Sequence, residues 1–465
     1  MFHQIKQRTL SINQLYQFFF CLIFFLGTLF NGSNSFLLIK INFIFLFIFF
    51  LHLMFKKNFK TNFLYLYKTN KNIFYLFAIF IIFLIFQVVP LPNFFLSFIS
   101  ENSFNFYKNI NFSNYNPISL NIYFSSHEII NYLNIFLIVV LTNLIFYKKK
   151  HINRFLFYFS IMGFFHAFFA VFWLLNGNPD FIFKDTIYYS NSATGFFINR
   201  TNFSFFLVLT FLIGLQYLYF NNIKMIFKED KFEIFYVRFF LLFISIGIIS
   251  TFSRLGNFYL LIIVLYYLLI SIINTNKLFN RFSIFFIVLI LFDILIMGVY
   301  FGGNQLISRF DFFNYELLSN PNNQVNLLSS KDIEDNLSRL KLISLGFEFF
   351  KSYFYFGYGA GAFESAFFLL FDNLNDIYAN HAHSDFVELL GELGIFGFII
   401  FILLFINILY RGVDAYIGKY SNLHFLLIPL LLLFLFNGFF DFSLNIPSNQ
   451  FLFASLVTMS LKKYF

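Results

Sequence analysis

The segment HAHSDFVELLGELG, residues 381–394, concentrates side chains that can take part in proton transfer. It carries His381 and His383, and on a helix beginning near Ser384 its three acids fall at positions i, i+3 and i+7, on one face. These acids are Asp385, Glu388 and Glu392. Because an imidazole has a pKa near neutrality, it can accept the proton of an attacking hydroxyl. The segment therefore predicts a general base with carboxylates beside it.

The residues alone leave the roles within this segment open. His381 and His383 lie two residues apart, and spacing does not exclude either as the base. A metal site is a weak interpretation, since no DxD motif or further histidine cluster occurs and Asp385 is the only nearby carboxylate at ligand-like spacing. We predict neither a metal nor a cofactor. The acidic stripe orients the histidine, binds sugar hydroxyls, or only reflects the preference of a helix N-terminus for acids.

Three arginines stand near the ends of apolar runs, where they can bind an anion. Arg254 lies in TFSRLGN between two such runs, and Arg200 and Arg339 lie on the same predicted side. A guanidinium stays charged and can bind two phosphate oxygens at once. The alternatives are a snorkelling interfacial cation for Arg254 and solvated charges for the other two. Asp441, at the end of another apolar run, is placed to pair with an arginine of the site.

The composition decides which elements position these residues. Of the 465 residues, 59% are hydrophobic and only 11% are charged, whereas a soluble domain carries about 25% charged residues. A water-soluble enzyme is thereby excluded. The net charge of +9 comes from basic clusters between apolar runs, which is the pattern of topology signals and does not indicate a nucleic-acid partner. The single cysteine, Cys21, allows no intrachain disulfide.

The apolar runs predict an all-α, polytopic integral membrane protein with about twelve transmembrane helices, each of roughly 20 residues. We expect the first span to remain as an anchor, because no small-residue cleavage site follows it. The predicted spans lie near residues 15–30, 36–55, 72–90, 128–147, 155–175, 201–221, 234–252, 255–273, 282–302, 386–410, 422–440 and 446–461.

The distribution of basic residues predicts the orientation and the domain organisation. With the N-terminus in the cytoplasm, 21 of the 31 Lys and Arg residues fall on the cytoplasmic side, so both termini are expected there. The predicted units are a nine-span bundle over 1–302, a long extracytoplasmic loop over 303–385 and a three-span bundle over 386–465. Within the loop, a helix is expected from near Ser338 to the glycines at 357, 359 and 361. The segment LPNFFLSFIS is expected on the same outer interface.

Several motifs occur together in an order that resembles a known family. They are FQVVPLPNFF, ATGFFINRTNFSFFL, STFSRLGNFYLL, NLSRLKLISLGFEFFKSYFYFGYGAGAF, HAHSDFVELLGELGIFGFIIF and GFFDFSLNIPSNQFLFASL. Their order, topology and spacing resemble the O-antigen ligase and O-antigen polymerase superfamily of bacterial polysaccharide assembly, from residue 85 to the C-terminus. HAHSDFVELLGELG and DFSLNIPSN are specific as a pair. One departure is INRTNF, where members commonly have asparagine in place of Thr201.

The resemblance implies a metal-independent glycosyl transfer on the outer, periplasmic face of the bacterial inner membrane. The donor would be a glycan on polyprenyl diphosphate, and the acceptor a hydroxyl of lipid A–core, a growing glycan or a protein. The family pattern places its histidine directly before the SDF element, which favours His383 as the base, and it raises Arg254 and Arg339 to catalytic candidates. The expected substrate-binding residues are Arg200, His381, Asp385, Glu388 and Asp441.

A transporter or flippase of lipid-linked glycans is the competing class, because it would also have twelve spans. Such a carrier is expected to show polar or broken helices near the membrane midplane and symmetry between its halves. Here the polar candidates gather at the outer rim and in one asymmetric loop, so the enzyme is preferred. Ligase, polymerase and protein O-oligosaccharyltransferase stay unseparated, since they share a donor and differ in the acceptor.

Overall fold

The structure is a computed structural model in which nearly all described residues are helical. It describes residues 12–110, 113–179, 191–222, 230–276, 281–296, 339–370, 379–418 and 422–462. The one sheet within these ranges pairs β1 (Leu91–Pro92) with β2 (Tyr115–Asn116) in antiparallel register. Most of the predicted 303–385 loop, namely residues 303–338 and 371–378, lies outside the described ranges.

Seventeen α-helices occur in the described ranges, numbered here in chain order. They are α1 (Ile12–Thr28), α2 (Phe36–Met54), α3 (Lys57–Thr69), α4 (Lys71–Val88), α5 (Asn93–Ile99), α6 (Glu101–Ile110), α7 (Ile122–Ile145), α8 (Lys149–Leu175), α9 (Arg200–Asn222), α10 (Asp230–Ser250), α11 (Arg254–Thr275), α12 (Arg281–Ile296), α13 (Arg339–Ser352), α14 (Phe363–Leu370), α15 (Asp385–Ile417), α16 (Leu427–Phe440) and α17 (Pro447–Ser460).

The all-α, polytopic membrane architecture predicted from composition is confirmed. Within the described ranges, nine helices are long and apolar enough to cross a membrane: α2, α4, α7, α8, α9, α10, α11, α15 and α16 with its preceding 3₁₀ turn. The other three predicted spans also coincide with helices, and the described parts of α1, α12 and α17 have 17, 16 and 14 residues. The count of twelve spans therefore stays a prediction.

Helix α9 is the centre of the bundle and carries one of the predicted site residues, Arg200, at its start. Residues 202–221 are all buried, because α8, α10, α11 and α17 pack around this helix. Glycines permit the close approach: a Cβ on Gly163 of α8 would lie 2.4 Å from Thr210 Oγ1 of α9. Small residues at such contacts are how membrane helices gain packing energy. The start of α9 is thus held rigidly inside the protein.

Helix α15 is interrupted one-third of the way along, at Gly394, whose φ and ψ are 60° and −175°. The freed backbone groups pair with the segment after α13. The Gly359 N–H donates to the Glu392 carbonyl at 3.1 Å, and the Ile395 N–H donates to the Phe354 carbonyl at 2.8 Å. A buried backbone group without a partner would be costly. This pairing explains why α13 ends at Ser352, earlier than the glycines at which the sequence predicted its end.

Gln87 at the end of α4 completes the junction. Its Nε2 donates to the Phe356 and Glu392 carbonyls at 2.7 and 2.8 Å, so three elements are tied at one buried side chain. The backbone at Gly357 also lies very close to the backbone of α15, because an ideal Cβ on Gly357 would lie 2.1 Å from the Glu392 carbonyl oxygen. The junction fixes the first two turns of α15, which carry the acidic stripe.

The predicted interfacial segment LPNFFLSFIS forms β1 and α5. Its aromatic side chains Phe94, Phe95 and Phe98 are 69%, 55% and 76% exposed, whereas Leu96 is fully buried. One face of α5 is therefore apolar and uncovered, which is consistent with the prediction that this segment lies along the membrane surface.

We expect Gly357→Ala to destabilise the protein far more than Gly177→Ala. Both glycines have positive φ, +73° and +79°, so alanine is strained at either position by roughly 1–2 kcal/mol. Only at Gly357 does the new methyl group also collide with backbone, since nothing lies within 4 Å of a Cβ at Gly177. The measurement is the apparent melting temperature of each purified variant in detergent. Equal melting temperatures for the two variants would contradict the packing described for this junction.

Candidate active site

The turn that carries the two histidines is fixed to the connection between α16 and α17. We call residues 381–384 the histidine turn. Ser384 Oγ donates to the Gly438 carbonyl at 2.9 Å, and the Asp385 N–H donates to the Asp441 carbonyl at 3.1 Å. Asn437 Nδ2 also donates to Asp385 Oδ2 at 2.7 Å. Two predicted site residues, Asp385 and Asp441, thus join the start of α15 to the end of α16.

Glu388 lies one turn into α15, and its carboxylate binds the histidine turn. Its Oε1 lies 2.9 Å from His381 Nδ1 and accepts from Asn445 Nδ2 at 3.1 Å. Its Oε2 accepts from the Ala382 N–H at 3.0 Å. The carboxylate is buried, at 4% exposure, so these three donors replace water. Glu388 therefore fixes both the backbone of the turn and the orientation of the His381 ring.

Phe442 provides a surface shared by both histidines. The His381 ring stacks on it at 4.4 Å between centroids and 15° between planes, whereas the His383 ring meets it edge-on at 4.9 Å and 78°. His383 has a φ of +55°, which is uncommon for a residue other than glycine. Strained backbone of this kind clusters at functional sites. The two imidazole rings of the turn therefore lie against the same phenyl ring.

The pKa of His381 lies above its ordinary value. Burial, the largest single influence, lowers it, but the charge of Glu388 and the hydrogen bond to it raise it, and the charges of Glu128 and Glu364 raise it further. The raising influences together outweigh burial. His381 is therefore biased towards the imidazolium form, while its side chain keeps 22% exposure.

Sequence reasoning missed the polar network on α7 and α17 that lies next to this turn. Glu128 Oε2 accepts from Asn131 Nδ2 at 3.3 Å, and the same Nδ2 lies 2.8 Å from Gln450 Oε1. One signal was present: Glu128 is an acid at the start of a predicted span, which is costly without a function or a partner. The pairing with Gln450 joins positions more than 300 residues apart, which no local pattern indicates.

Asn202, Ser443 and Asn449 join the start of α9 to the same site. Ser443 Oγ donates to Asn202 Oδ1 at 3.0 Å, and Asn449 Nδ2 lies within 3.1 Å of the Asn202 and Ser443 carbonyls. Ser443 Oγ also lies within hydrogen-bonding distance of Asp441 Oδ2. Thr201, where the sequence departs from the family pattern, donates its hydroxyl to Asn199 Oδ1 at 2.6 Å. That threonine thus has a local role at the start of α9.

Two of the three predicted arginines begin a helix: Arg200 begins α9 and Arg254 begins α11. Arg339 is the first described residue of α13. The N-terminus of a helix carries free N–H groups and a partial positive charge, so it favours anions even without a cationic side chain. Arg254 is exposed and Arg200 is half-buried. For Arg339 the structure describes only the backbone.

Packing relates the helices of the three arginines to the histidine turn. Helix α11 lies directly against α9, since a Cβ on Gly256 would lie 1.6 Å from Ser204 Oγ. Helix α13 lies against α15, where a Cβ on Gly346 would lie 2.6 Å from a methyl of Val387. Contacts therefore join His381 to Glu388 and Asp385 to Asp441, while His383 packs on Phe442. Helix α13 packs on α15, and α11 reaches this end of the protein through α9. Within the described ranges, no group of three or more His, Cys, Asp or Glu residues could hold a metal ion.

Part of the chain matches a known family. Residues 239–402 match the family model described as O-antigen ligase. The predicted resemblance to this family is thereby confirmed over these residues. The matched range contains Arg254, Arg339, both histidines, Asp385 and Glu388, while Arg200 and Asp441 lie outside it. No curated protein matches the chain. The histidine turn, Arg254 and Arg339 are thus parts of the O-antigen ligase region.

We expect Asn449→Ala to lower the stability of the protein, because this fully buried amide bridges α9 and the α16–α17 connection. Each buried carbonyl that loses its donor costs at most about 1–3 kcal/mol. Asn407→Ala is the matched control, since that amide bonds only to the Leu403 carbonyl one turn earlier in α15. The apparent melting temperature in detergent is the measurement. A larger fall for Asn407→Ala would contradict the assigned bridge.

Proposed function

We propose that this protein is a glycosyltransferase of the bacterial inner membrane, in which it transfers a glycan from polyprenyl diphosphate to a hydroxyl acceptor. The acceptor is lipid A–core or a growing polysaccharide. The observation that carries the proposal is a carboxylate-bound histidine turn within the region that matches O-antigen ligase, a region that also contains Arg254 and Arg339. The proposed process is the assembly of cell-surface polysaccharide.

The proposed orientation puts the histidine turn on the periplasmic side and both termini in the cytoplasm. The distribution of Lys and Arg supports this, because the basic clusters lie at the opposite ends of the spans. No nucleotide sugar exists outside the cytoplasm, so the activated glycan must arrive on a lipid. A site at the membrane surface suits a donor whose diphosphate lies at the headgroup level.

The proposed chemistry on the donor side is charge neutralisation. As the bond between the anomeric carbon and the diphosphate oxygen breaks, negative charge grows on the leaving polyprenyl diphosphate. Arg254, at the positive end of α11, and Arg339 stabilise that charge, and Arg200 helps to bind the donor. Because these groups supply fixed positive charge, we propose that no divalent metal is needed.

The proposed chemistry on the acceptor side is general base catalysis by His383. Its imidazole takes the acceptor proton while the acceptor oxygen forms its bond to the anomeric carbon. Asp385, Glu388 and Asp441 were expected to bind substrate directly. Since each is buried and bonded to the segments that hold the turn, we propose that they position the turn instead.

One observation bears on the competing transporter function. Helix α15 is broken at Gly394, and broken helices are typical of carriers. The break is closed, however, by backbone pairing with residues 354–359, so its carbonyls are not left to coordinate a transported ion. The enzyme stays the better-supported proposal.

The sidedness can be tested with single cysteines in a Cys21→Ser background. Asn114→Cys, exposed on the same end of the bundle as the histidine turn, should react with an impermeant maleimide in intact spheroplasts. Lys68→Cys, exposed at the end of α3 on the opposite side, should react only after the membrane is opened. The reverse pattern would overturn the orientation and remove the case for a lipid-linked donor.

Turnover by the purified protein tests the reaction and the division of roles. With a polyprenyl diphosphate glycan, an acceptor series and excess EDTA, we expect transfer to a hydroxyl acceptor, identified by mass spectrometry.

His383→Ala should lower turnover by a factor on the order of 10²–10⁴ with donor binding nearly intact. Arg254→Ala should weaken donor binding as well, and Arg254→Lys should recover little, since a point charge lacks the two-pronged geometry.

Each variant must first insert and accumulate like the parent. The outcome that would refute the base assignment is near-parental turnover of His383→Ala. Loss of turnover in EDTA that one added metal restores would refute metal independence. Transfer to a protein acceptor alone would identify the protein O-oligosaccharyltransferase alternative.

A further inference from the structure

The two histidines of the turn have different surroundings, and the proposed mechanism uses only one of them as a base. His381 Nδ1 lies 2.9 Å from the buried carboxylate of Glu388, and the ring covers Phe442 face to face. His383 meets the same phenyl ring edge-on. The proposed mechanism therefore leaves the imidazole of His381, which is bound to a carboxylate, without a role.

The hydrogen bonds of Glu388 determine which atom carries the proton. Both of its oxygens are engaged by groups that can only donate, the Ala382 N–H and Asn445 Nδ2. An ionised carboxylate accepts hydrogen bonds and donates none. His381 Nδ1 must therefore carry a hydrogen, which it directs to Oε1. The same bond fixes the ring so that Nε2 points away from Glu388.

The charges around His381 come from three helices and have one sign. Glu388 lies on α15, Glu128 on α7 and Glu364 on α14, and all three favour the protonated ring. Burial opposes them but is outweighed, so the pKa of His381 is raised. The face-to-face contact with Phe442 adds a favourable interaction for a cation. Asn445, the other polar side chain near this ring, is neutral.

The outward edge of the ring remains accessible. The His381 side chain is 22% exposed, and within the described part of the chain its Nε2 is neither a buried orphan nor bonded to a protein group. In the imidazolium form Nε2 carries a hydrogen and donates a charge-assisted bond, which suits an anionic oxygen. A donor of this kind, held beside the proposed base, complements it.

We propose that Glu388 acts as a positioning residue that holds His381 as an imidazolium cation, and that His381 Nε2 donates to the diphosphate of the donor lipid. This inference rests on the proposed function for the identity of the anion. His381 keeps its proton throughout, so no bond to it forms or breaks. Two neighbouring imidazoles thereby take opposite roles: one neutral ring accepts a proton, and one charged ring binds the leaving group.

Chemical modification tests the charge state without any assay of turnover. Diethyl pyrocarbonate reacts with neutral imidazole, and mass spectrometry of the peptide containing residues 381–394 can locate the product. We expect the modification of His381 in the parent to reach its midpoint at a pH above the ordinary pKa of histidine. In Glu388→Gln the midpoint for His381 should fall by at least about one pH unit, since the opposite charge is lost. Glu348→Gln, which removes an exposed carboxylate on α13, is the matched control and should leave the midpoint unchanged.

Binding of a short polyprenyl diphosphate tests the ligand. With farnesyl diphosphate as the probe, parental affinity should fall as pH rises through the His381 midpoint. His381→Ala should bind on the order of 10-fold more weakly at pH 6.5 and lose this pH dependence. Glu388→Gln should show the fall at lower pH, and Glu388→Asp should keep part of the parental profile. Because the parent alone supplies a pH profile, a variant that fails to fold does not remove the test.

Two results would overturn the inference. One is a midpoint for the modification of His381 in the parent at or below the ordinary pKa of histidine; the other is farnesyl diphosphate binding that is unchanged in His381→Ala at every pH. Failure of the proposed function is distinguishable, because it would appear as absent glycosyl transfer while the modification profile and the pH-dependent diphosphate binding persist.

Discussion

A carboxylate buried at the end of a membrane helix must find its hydrogen-bond donors within the protein, and Glu388 finds them in two other segments. Its oxygens contact the histidine turn through His381 and the Ala382 N–H, and the α16–α17 connection through Asn445. Leaving such a charge without partners would cost several kcal/mol. The position of both histidines, and hence the chemistry proposed for them, depends on this one side chain.

The electrostatic division of the site follows from where helices begin. Arg200 and Arg254 each begin a helix, so side-chain charge and the free N–H groups of the first turn both favour an anion. The carboxylates of Glu388, Glu128 and Glu364, in contrast, lie around His381, where they favour its protonated form. Positive charge for the leaving group and a neutral base for the acceptor can then coexist at one end of the bundle.

The rigidity of this end has two sources in the fold. The central helix α9 is buried along residues 202–221 and fixes the start that carries Arg200. The break in α15 at Gly394 is closed by backbone bonds to the segment after α13, and Gln87 joins the junction to α4. A membrane helix tolerates such a break only where other protein groups satisfy the freed backbone. The glycines at 357 and 394 are required because no Cβ fits between the two backbones.

The amino-acid sequence by itself determined that this is a membrane protein, that it is helical, and that part of it resembles O-antigen ligases. Apolar runs such as those of α2 and α4 can be stable only as membrane helices, and the motifs around Arg254 and the histidine turn predicted the O-antigen ligase family that residues 239–402 match. Helical periodicity also placed Asp385 and Glu388 on one face. Each of these properties depends on residues that are close together in the chain, so it can be inferred from a single sequence.

Only the tertiary structure decided what each polar side chain contacts. It paired Glu388 with His381, although the sequence left the partner of the stripe open, and it brought Glu128 and Gln450, from distant helices, next to the site. It also turned the predicted helix end at the glycines into a backbone junction with Glu392. Such contacts depend on how helices far apart in the chain pack around α9, and packing is set by the shapes of whole faces. No periodicity or spacing within one segment contains that information.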